Sequence, residues 1–218
     1  MKYIHIILLA ALLCGCIGQS PSEPVRGPQE SETVPEGVTP IDEFLDVDLG
    51  IKPQIDITEY TLVVTGLVDT ELVLTYEDIV SFPAVTQITT LYCVTGFQDT
   101  GQWTGVPVKY ILEKAGYSEN TVSVVFYAPD DDYSSSISLE KALQEDTILA
   151  YKMNDVTLPR NHGYPLRLVV PDKWGYKWVK WVVKIELVDY EYEGYWESRG
   201  YSNIADVPES EKNPPDVD

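Results

Sequence analysis

Apolar residues alternate with polar ones, or form short continuous runs, along most of the chain after residue 55. Both patterns are typical of β-strands, half-buried in the first case and fully buried in the second. They predict strands over residues 55–57, 60–66, 72–74, 85–91, 121–127, 148–152, 166–171 and 179–187. The dipeptide Asn154-Asp155 after one of these runs predicts a hairpin turn.

Short helices are predicted between these strands. Thr75 and Ser138 are suitable N-caps for helices over residues 76–80 and 139–144. Apolar residues at helical spacing predict a helix over residues 108–115, and Gly116 is its expected C-cap. Strands and helices follow one another without a regular βαβ rhythm, so we predict an α+β domain with mixed β-sheets.

Cys93 follows the predicted strand over residues 85–91 and precedes Gly96, so it is expected where a strand gives way to a loop. Gly101 and Gly105 predict that this loop continues and contains Trp103. A single thiol in such a place has three interpretations: an inert core residue, a nucleophile, or a ligand to a soft metal.

The first sixteen residues are typical of an export signal. Lys2 precedes an apolar stretch over residues 3–13, which is too short for a transmembrane helix and suits a signal peptide. The sequence Leu13-Cys14-Gly15-Cys16 resembles a lipobox, which makes Cys16 the predicted lipidation site. The alternative is a plain secretory signal that is cut nearby. With a lipid anchor, the domain is expected outside the cytoplasm at the cell membrane.

Composition divides the rest of the chain into three parts. Residues 17–40 are rich in Ser, Pro, Glu, Gly and Gln, which predicts a disordered tether. Residues 41–196 are predicted to form the domain, and residues 197–218 an irregular acidic tail. The formal net charge is -20 over 218 residues. Such a charge repels phosphate backbones, so we do not expect a nucleic-acid partner.

Residue counts narrow the chemistry further. Of three cysteines, Cys14 leaves with the signal and Cys16 is modified, so Cys93 is left unpaired. Of two histidines, His5 also leaves, and His162 remains. A zinc site of the usual Cys/His type is therefore not expected. A cysteine hydrolase would need Cys93 to pair with His162, and spacing alone does not exclude that.

Six of the fifteen basic residues lie within a stretch of 25 residues, which indicates an anion-binding site on an acidic chain. They are Arg160, Arg167, Lys173, Lys177, Lys180 and Lys184. Gly163 and Gly175 would let backbone amides approach the anion, and Arg167 offers a planar fork for phosphate. The alternative is that these lysines only keep strand edges soluble. Beside Cys93, an anion site suits a phosphorylated cofactor that carries a soft metal.

Three segments together resemble the molybdopterin-binding domain of the sulfite oxidase family, and the resemblance runs from about residue 60 to 188. They are Cys93 with Gly96 and then Trp103-Thr104-Gly105-Val106-Pro107, the stretch Leu158-Pro159-Arg160-Asn161-His162-Gly163-Tyr164-Pro165-Leu166-Arg167-Leu168-Val169-Val170-Pro171, and Gly175-Tyr176-Lys177-Trp178-Val179-Lys180-Trp181. The resemblance implies a sulfite oxidase-type fold and a mononuclear molybdenum, or tungsten, held by the pterin dithiolene and the Cys93 thiolate.

The resemblance also assigns the cofactor site. His162 and Arg167 match residues that contact the pterin cofactor or its phosphate. Gly175, Tyr176 and Lys177 match a stretch that periplasmic methionine-sulfoxide reductases use for the same purpose.

The implied activity is two-electron oxygen-atom transfer on a small oxo substrate such as a sulfoxide, with electrons exchanged through a separate, membrane-associated partner. Sulfite oxidases carry Asn and an anion-binding Arg shortly after the cysteine, whereas Val94-Thr95-Gly96-Phe97 stands there in this chain. Sulfite is therefore not the expected substrate. The alternative is a non-catalytic binding module that keeps the fold without the cofactor.

Overall fold

The computed structural model describes residues 35–50, 52–129 and 133–212. The predicted signal peptide over residues 1–16 with Cys16, the tether up to residue 34 and the last six residues of the tail lie outside these ranges. No helix within the described ranges is long and apolar enough to cross a membrane.

Two five-stranded sheets form the domain. In chain order the strands are β1 (Thr61–Gly66), β2 (Leu72–Thr75), β3 (Val85–Tyr92), β4 (Gln98–Pro107), β5 (Ser123–Tyr127), β6 (Ser134–Ser138), β7 (Ile148–Met153), β8 (Val156–Thr157), β9 (Arg167–Val169) and β10 (Lys184–Val188). The first sheet has the order β2-β1-β10-β5-β6 and pairs β1 with β10 in parallel, while its other pairs are antiparallel. The second sheet has the order β3-β4-β7-β8, with β9 also paired to β7.

Four short α-helices and three 3₁₀ turns lie wholly within the described ranges, between or after these strands. The helices are α1 (Tyr76–Val80), α2 (Val108–Ala115), α3 (Leu139–Ala142) and α4 (Glu209–Lys212), and the turns are Arg160–His162, Gly175–Lys177 and Glu197–Arg199. Thr75 caps α1 in a capping box with Asp78, and Gly116 ends α2 with a φ of 71°. The bounds predicted for α1 and α2 and the α+β class are confirmed.

The prediction of a loop around Trp103 is wrong, because residues 98–107 form the ten-residue strand β4. Its glycines provide room for close packing within a strand instead of a turn. A Cβ atom on Gly105 would lie 2.2 Å from the Leu149 carbonyl oxygen, and one on Gly101 would lie 2.8 Å from the Trp103 indole. The fully buried Trp103 side chain therefore belongs to the core of the second sheet.

Smaller differences between prediction and structure concern three strands. Residues 55–57 form no strand, and the strand predicted over residues 179–187 begins only at Lys184. Strand β6 was missed, because its sequence Ser134–Ser138 contains four serines and lacks the apolar alternation of a half-buried strand.

The end of the predicted tether packs on the domain. Val38 is 8% exposed, and the Thr39 backbone N–H donates to the Thr100 carbonyl oxygen at 2.7 Å. The Asn154 side-chain amide donates to the Thr39 carbonyl oxygen at 2.9 Å. Disorder up to residue 40 is therefore wrong for residues 35–40, which are held by backbone hydrogen bonds that composition does not reveal.

The predicted tail is also attached where the structure describes it. It is irregular over most of its length, but Glu197, Ala205 and Val207 are buried. The Lys173 ammonium pairs with Asp206, and the Trp174 backbone N–H donates to the Ala205 carbonyl oxygen at 2.9 Å. The chain up to residue 207 therefore belongs to the folded unit.

Candidate active site

Cys93 lies in the connection between β3 and β4. The two strands pair from Val85 with Gly105 to Tyr92 with Gln98, which leaves residues 93–97 as the hairpin loop. The Cys93 N–H donates to the Phe97 carbonyl oxygen, and the Gly96 N–H donates to the Cys93 carbonyl oxygen, both at 2.9 Å. Gly96 has a φ of 95°, which an L side chain rarely adopts. The predicted place of Cys93 at a strand end is confirmed.

The half-buried Cys93 side chain faces a cleft with a cavity volume of about 240 Å³. One water needs only about 10–15 Å³ on the same measure, so the cleft has room for a much larger molecule. The lining comes from four parts of the chain. It comprises Leu45, Val47, Asp48, Leu49 and Pro53, then Leu91, Cys93, Val94, Thr95 and Phe97, then Ala128, Pro129 and Tyr133, and finally Arg167, Gly175, Tyr176, Trp178, Lys180, Trp181, Trp196 and Tyr201.

Only one polar contact engages the Cys93 sulfur within the described ranges. The Thr95 hydroxyl donates to Cys93 Sγ at 3.2 Å. This single hydrogen bond leaves further lone pairs on the sulfur free. The thiol can therefore act as a ligand toward the cleft while the hairpin loop holds its backbone.

The turn at Gly175 packs directly against the end of β3. Trp174 forms an isolated parallel bridge with Tyr92. A Cβ atom on Gly175 would lie 3.0 Å from Leu91 Cδ2 and 3.3 Å from the Tyr92 carbonyl oxygen. This close approach explains the glycine and places Gly175 and Tyr176 on the same cleft as Cys93.

Arg167 is a buried cation on this cleft. It lies in β9 and is 3% exposed, with its guanidinium carbon 5.1 Å from the Trp103 ring centre and 5.9 Å from that of Trp178. Its Nη1 donates to the His162 carbonyl oxygen at 3.2 Å, and its Nε has no hydrogen-bond partner among the described residues. Burial lowers the pKa of Arg167 to about 10, so the side chain stays charged at neutral pH.

His162 lies behind Arg167 and does not line the cleft. Its ring is 1% exposed and packs edge-on against Phe44, with ring centres 5.5 Å apart. Burial, and then the charges of Arg167 and Lys180, lower the pKa of His162 to about 4. The ring is therefore neutral at pH 7, and its Nδ1 has no hydrogen-bond partner in the described part of the chain.

Lys177 is fully buried and does not line the cleft either. Its ammonium donates to Glu197 Oε1 at 2.6 Å, to the Ser136 carbonyl oxygen at 2.8 Å and to Asn203 Oδ1 at 3.3 Å. These partners use its three N–H donors. Of the six residues predicted for the site, the structure thus brings Cys93, Arg167, Gly175 and Tyr176 together on one cleft and places His162 and Lys177 behind it.

Lys180 is a cleft residue that the sequence showed only as one member of the cationic stretch. Its ammonium donates to Asp46 Oδ1 at 2.8 Å and to the Asn161 carbonyl oxygen at 2.9 Å. Burial, and then Arg167, lower the pKa of Lys180 to about 8. Its carboxylate partner lies 134 residues earlier in the chain, so no local signal could have found the pair.

The residues of the cleft suit an anionic organic cofactor that carries a soft metal. Arg167 is charged, buried and has an unsatisfied Nε, which a bound anion would satisfy. Gly175 provides backbone where a side chain would meet Leu91. Cys93 offers a thiol on the same cleft. The cation thus suits the phosphate of such a cofactor, the glycine suits its ring system, and the thiol suits its metal.

Comparisons with known proteins agree with this chemistry. A family model described as the oxidoreductase molybdopterin binding domain matches residues 49–196. An oxidoreductase, YuiH of Bacillus subtilis, is 35% identical over 152 residues, covering 69% of this chain and 76% of that protein. The putative protein-methionine-sulfoxide reductase subunit YedZ1 of Azospira oryzae is 34% identical, covering 68% of this chain and 56% of that protein.

Sulfite oxidases and a related structure are also similar. The sulfite oxidase of Arabidopsis thaliana is 31% identical, covering 80% of this chain and 53% of that protein. The sulfane dehydrogenase SoxCD from Paracoccus pantotrophus superposes with a TM-score of 0.61 and 28% identity, covering 64% of this chain and 40% of that one. This chain thus spans about half the length of several of these relatives, and the predicted sulfite oxidase-type fold is confirmed.

Proposed function

Because the chain belongs to the oxidoreductase molybdopterin-binding domain family, we propose that it transfers an oxygen atom to or from a small, uncharged oxo compound such as a sulfoxide. Its family makes it an oxidoreductase with a molybdopterin cofactor that carries molybdenum. The observation that carries the choice of substrate is the apolar surroundings of Cys93 in the cleft.

Three groups of residues would hold the cofactor. The Cys93 thiolate would bind the metal, the Arg167 cation would face the phosphate, and the Gly175 turn would lie against the ring system. When bound, the cofactor supplies a metal that cycles between Mo(VI) and Mo(IV) and so exchanges two electrons together with an oxygen atom. The chain itself would bind and orient this group.

The polar groups near Cys93 argue against an anionic substrate. Arg167 and Lys180 are the only cations that line the cleft in the described part of the chain, and the only lining carboxylate is Asp48. Lys180 is already paired with Asp46, and the cofactor would occupy Arg167. Next to Cys93 stand Val94 and Phe97, which offer an approaching anion no charge. An uncharged sulfoxide loses less hydration there than sulfite does.

Sulfite oxidation is the second candidate, and the identity to sulfite oxidases favours it. The name of the YedZ1 relative, a putative protein-methionine-sulfoxide reductase subunit, favours the sulfoxide. A cysteine hydrolase has no support, since His162 lies behind Arg167 and the described contacts give Cys93 Sγ only the Thr95 hydroxyl. A cofactor-free binding module would leave Arg167 buried without an anion.

Metal analysis tests the role of Cys93. The protein is expressed with molybdate in a host that makes the cofactor, and the purified chain is expected to contain one molybdenum. Cys93→Ser is expected to lose most of the metal while keeping its circular dichroism spectrum, and Val94→Ala, which removes no polar group, serves as the neighbouring control. Folded wild-type protein without molybdenum or tungsten would contradict the proposal.

Turnover of two substrates tests the proposed specificity. Loaded protein is assayed for reduction of dimethyl sulfoxide with reduced viologen and for oxidation of sulfite with ferricyanide. We expect sulfoxide reduction and little sulfite oxidation. The opposite preference would replace the sulfoxide by sulfite as the substrate.

We also propose that Cys16 carries the lipid and holds the domain outside the cytoplasm, where a separate, membrane-associated partner exchanges electrons with it. The sequence Leu13-Cys14-Gly15-Cys16 supports the anchor. Labelled palmitate should enter the wild-type chain and not Cys16→Ala, and Cys16→Ala should leave the membrane fraction. If Cys16→Ala takes up no palmitate but stays in the membrane fraction, the proposed lipid anchor is wrong.

A further inference from the structure

Two 3₁₀ turns that are distant in sequence form one wall of the cleft. The turn Gly175–Lys177 contributes Gly175 and Tyr176 to the lining. The turn Glu197–Arg199 is flanked by Trp196 and Tyr201, which also line the cleft. We call these two turns with their flanking aromatic residues the aromatic wall. Its shape depends on what holds the second turn against the first.

A buried ion pair joins the two turns. Lys177 Nζ lies 2.6 Å from Glu197 Oε1, and the two side chains are 0% and 1% exposed. The Ser135 hydroxyl also donates to Glu197 Oε1, and the Ser136 carbonyl oxygen accepts from Lys177. The pair therefore fastens both turns to strand β6 as well as to each other.

Glu197 is the main anchor of its segment. From Tyr195 to Ile204 it is the only buried residue, while Ser198, Arg199, Gly200 and Tyr201 are exposed. Carboxylates are rarely buried unless they are paired. In a segment whose other side chains contact the solvent, a buried carboxylate fixes the backbone only because Lys177 neutralises it.

The aromatic side chains of the wall follow from this anchor. The ring centres of Trp196 and Tyr201 lie 5.0 Å apart, and those of Tyr176 and Tyr201 lie 5.4 Å apart. The Tyr176 hydroxyl donates to the Ser202 carbonyl oxygen at 2.7 Å. These exposed or half-buried contacts are weak by themselves and need the segment to be held in place.

We propose that Lys177 and Glu197 are positioning residues, which fix Trp196 and Tyr201 in the cleft wall and thereby determine which sulfoxides the site accepts. Neither residue touches the substrate. The substrate class rests on the function proposed above, whereas the anchoring of the wall does not. A bulky aryl sulfoxide contacts a correctly placed aromatic wall, and dimethyl sulfoxide is too small to depend on it.

The test uses Glu197→Gln in the full, cofactor-loaded chain. Glutamine keeps the shape and the hydrogen bond from Ser135 but removes the charge that holds Lys177. We expect kcat/KM for methyl phenyl sulfoxide to fall about tenfold relative to kcat/KM for dimethyl sulfoxide, which is the scale of one or two aromatic contacts. Molybdenum content should stay at the wild-type level.

A second readout does not depend on turnover. Arg199 is an exposed tryptic site inside the second turn. Mass spectrometry is expected to show faster cleavage after Arg199 in Glu197→Gln than in the wild type. If Glu197→Gln does not fold, Ser135→Ala replaces it, since it removes only the hydroxyl that donates to Glu197 Oε1 and should change cleavage and the substrate ratio in the same direction but by less. Lys177→Met/Glu197→Leu is the rescue variant, because apolar replacement of a buried pair is usually tolerated. The double variant should keep the protection of Arg199 through apolar contact and should keep the wild-type preference.

Lys141→Met provides the matched control, since Lys141 is a 6% exposed lysine in α3 that pairs with Asp146 at 3.5 Å and does not line the cleft. It should change neither the substrate ratio nor cleavage after Arg199. An equal loss of kcat/KM for both sulfoxides, or unchanged cleavage after Arg199 in Glu197→Gln, would overturn the positioning role. If the wild type reduces neither sulfoxide, the proposed function fails while the proteolysis result still decides the anchoring.

Discussion

Arg167 and Lys177 are two buried cations of one cationic stretch, and the fold treats them in opposite ways. Lys177 has a buried carboxylate, Glu197, at 2.6 Å. Arg167 has no carboxylate within ion-pair distance in the described ranges, only the His162 carbonyl oxygen and two tryptophan faces. One cation is neutralised by the protein itself, and the other is left for an anion from outside.

The contrast separates structural cations from binding cations. Burial lowers the pKa of Lys177, but the charge and the hydrogen bond of Glu197 act in the opposite direction. For Arg167, burial is opposed only by the more distant charge of Asp46. A buried cation without a dedicated carboxylate costs folding free energy, and that cost is recovered when an anion binds. A cationic stretch in a sequence therefore cannot be assigned to a ligand as a whole.

Removal of Lys177 should have the largest effect. Lys177→Met leaves the Glu197 carboxylate buried without its partner, which is expected to lower the free energy of unfolding by about 3–5 kcal/mol. Urea denaturation of the cofactor-free protein measures it, with Lys177→Met/Glu197→Leu as control, which should recover most of the loss. A loss below about 1 kcal/mol would mean that the pair is not buried in solution.

His162 should make stability depend on pH. Its pKa is about 4 in the fold against about 6.5 when unfolded, so between these values the unfolded chain binds more protons. The contribution of His162 to the free energy of unfolding is fully present above pH 6.5. It falls by about 3 kcal/mol as the pH drops toward 4. Urea denaturation of a chain without residues 1–16 between pH 7.5 and 4.5 measures the slope.

The comparison variant for this slope is His162→Gln. A chain without residues 1–16 has lost His5, so His162 is its only histidine. The difference between the two unfolding free energies should narrow as the pH falls, because glutamine does not titrate. If the free energy of unfolding changes with pH equally in both proteins, the imidazole of His162 is not buried and neutral.

Arg167 should behave in the opposite way to Lys177. Arg167→Met removes a buried charge that has no carboxylate, so the cofactor-free protein should unfold within about 1 kcal/mol of the wild type. Molybdenum content after expression with molybdate should nevertheless fall about tenfold or more, by the scale known for groups that support metal sites. A strongly destabilised variant that still loads molybdenum would reverse the distinction between the two cations.

Asp46 should have the smallest effect. Burial alone would raise the pKa of Asp46, but hydrogen bonds from Lys180 and Lys52 outweigh this and lower it. Its stabilisation is therefore present above pH 4 and lost as the pH falls through the lowered value. Asp46→Asn is expected to cost about 1 kcal/mol at pH 7, since the carboxylate is partly exposed. Chemical denaturation at pH 7 and pH 3 measures it, and an equal cost at both would contradict the ion pair.

Local sequence predicted those parts of the fold whose signals are local. Helices α1 and α2 have their caps and apolar spacing within a few residues, and their bounds were correct. Strand β4 was mistaken for a loop because a glycine in a strand and a glycine in a turn look the same until the neighbouring backbone is known. Strand β6 carries no apolar alternation, so pairing with β5 alone defines it.

The sequence by itself determined the α+β class, the place of Cys93 at a strand end, and the stretch that supplies Arg167 and Gly175. Tertiary structure alone decided which cations face the cleft. Glu197 and Asp46 lie 20 and 134 residues from the lysines they pair with, Lys177 and Lys180. Secondary-structure patterns arise from neighbours along the chain, whereas the charge balance of a buried group depends on which distant segment folds against it.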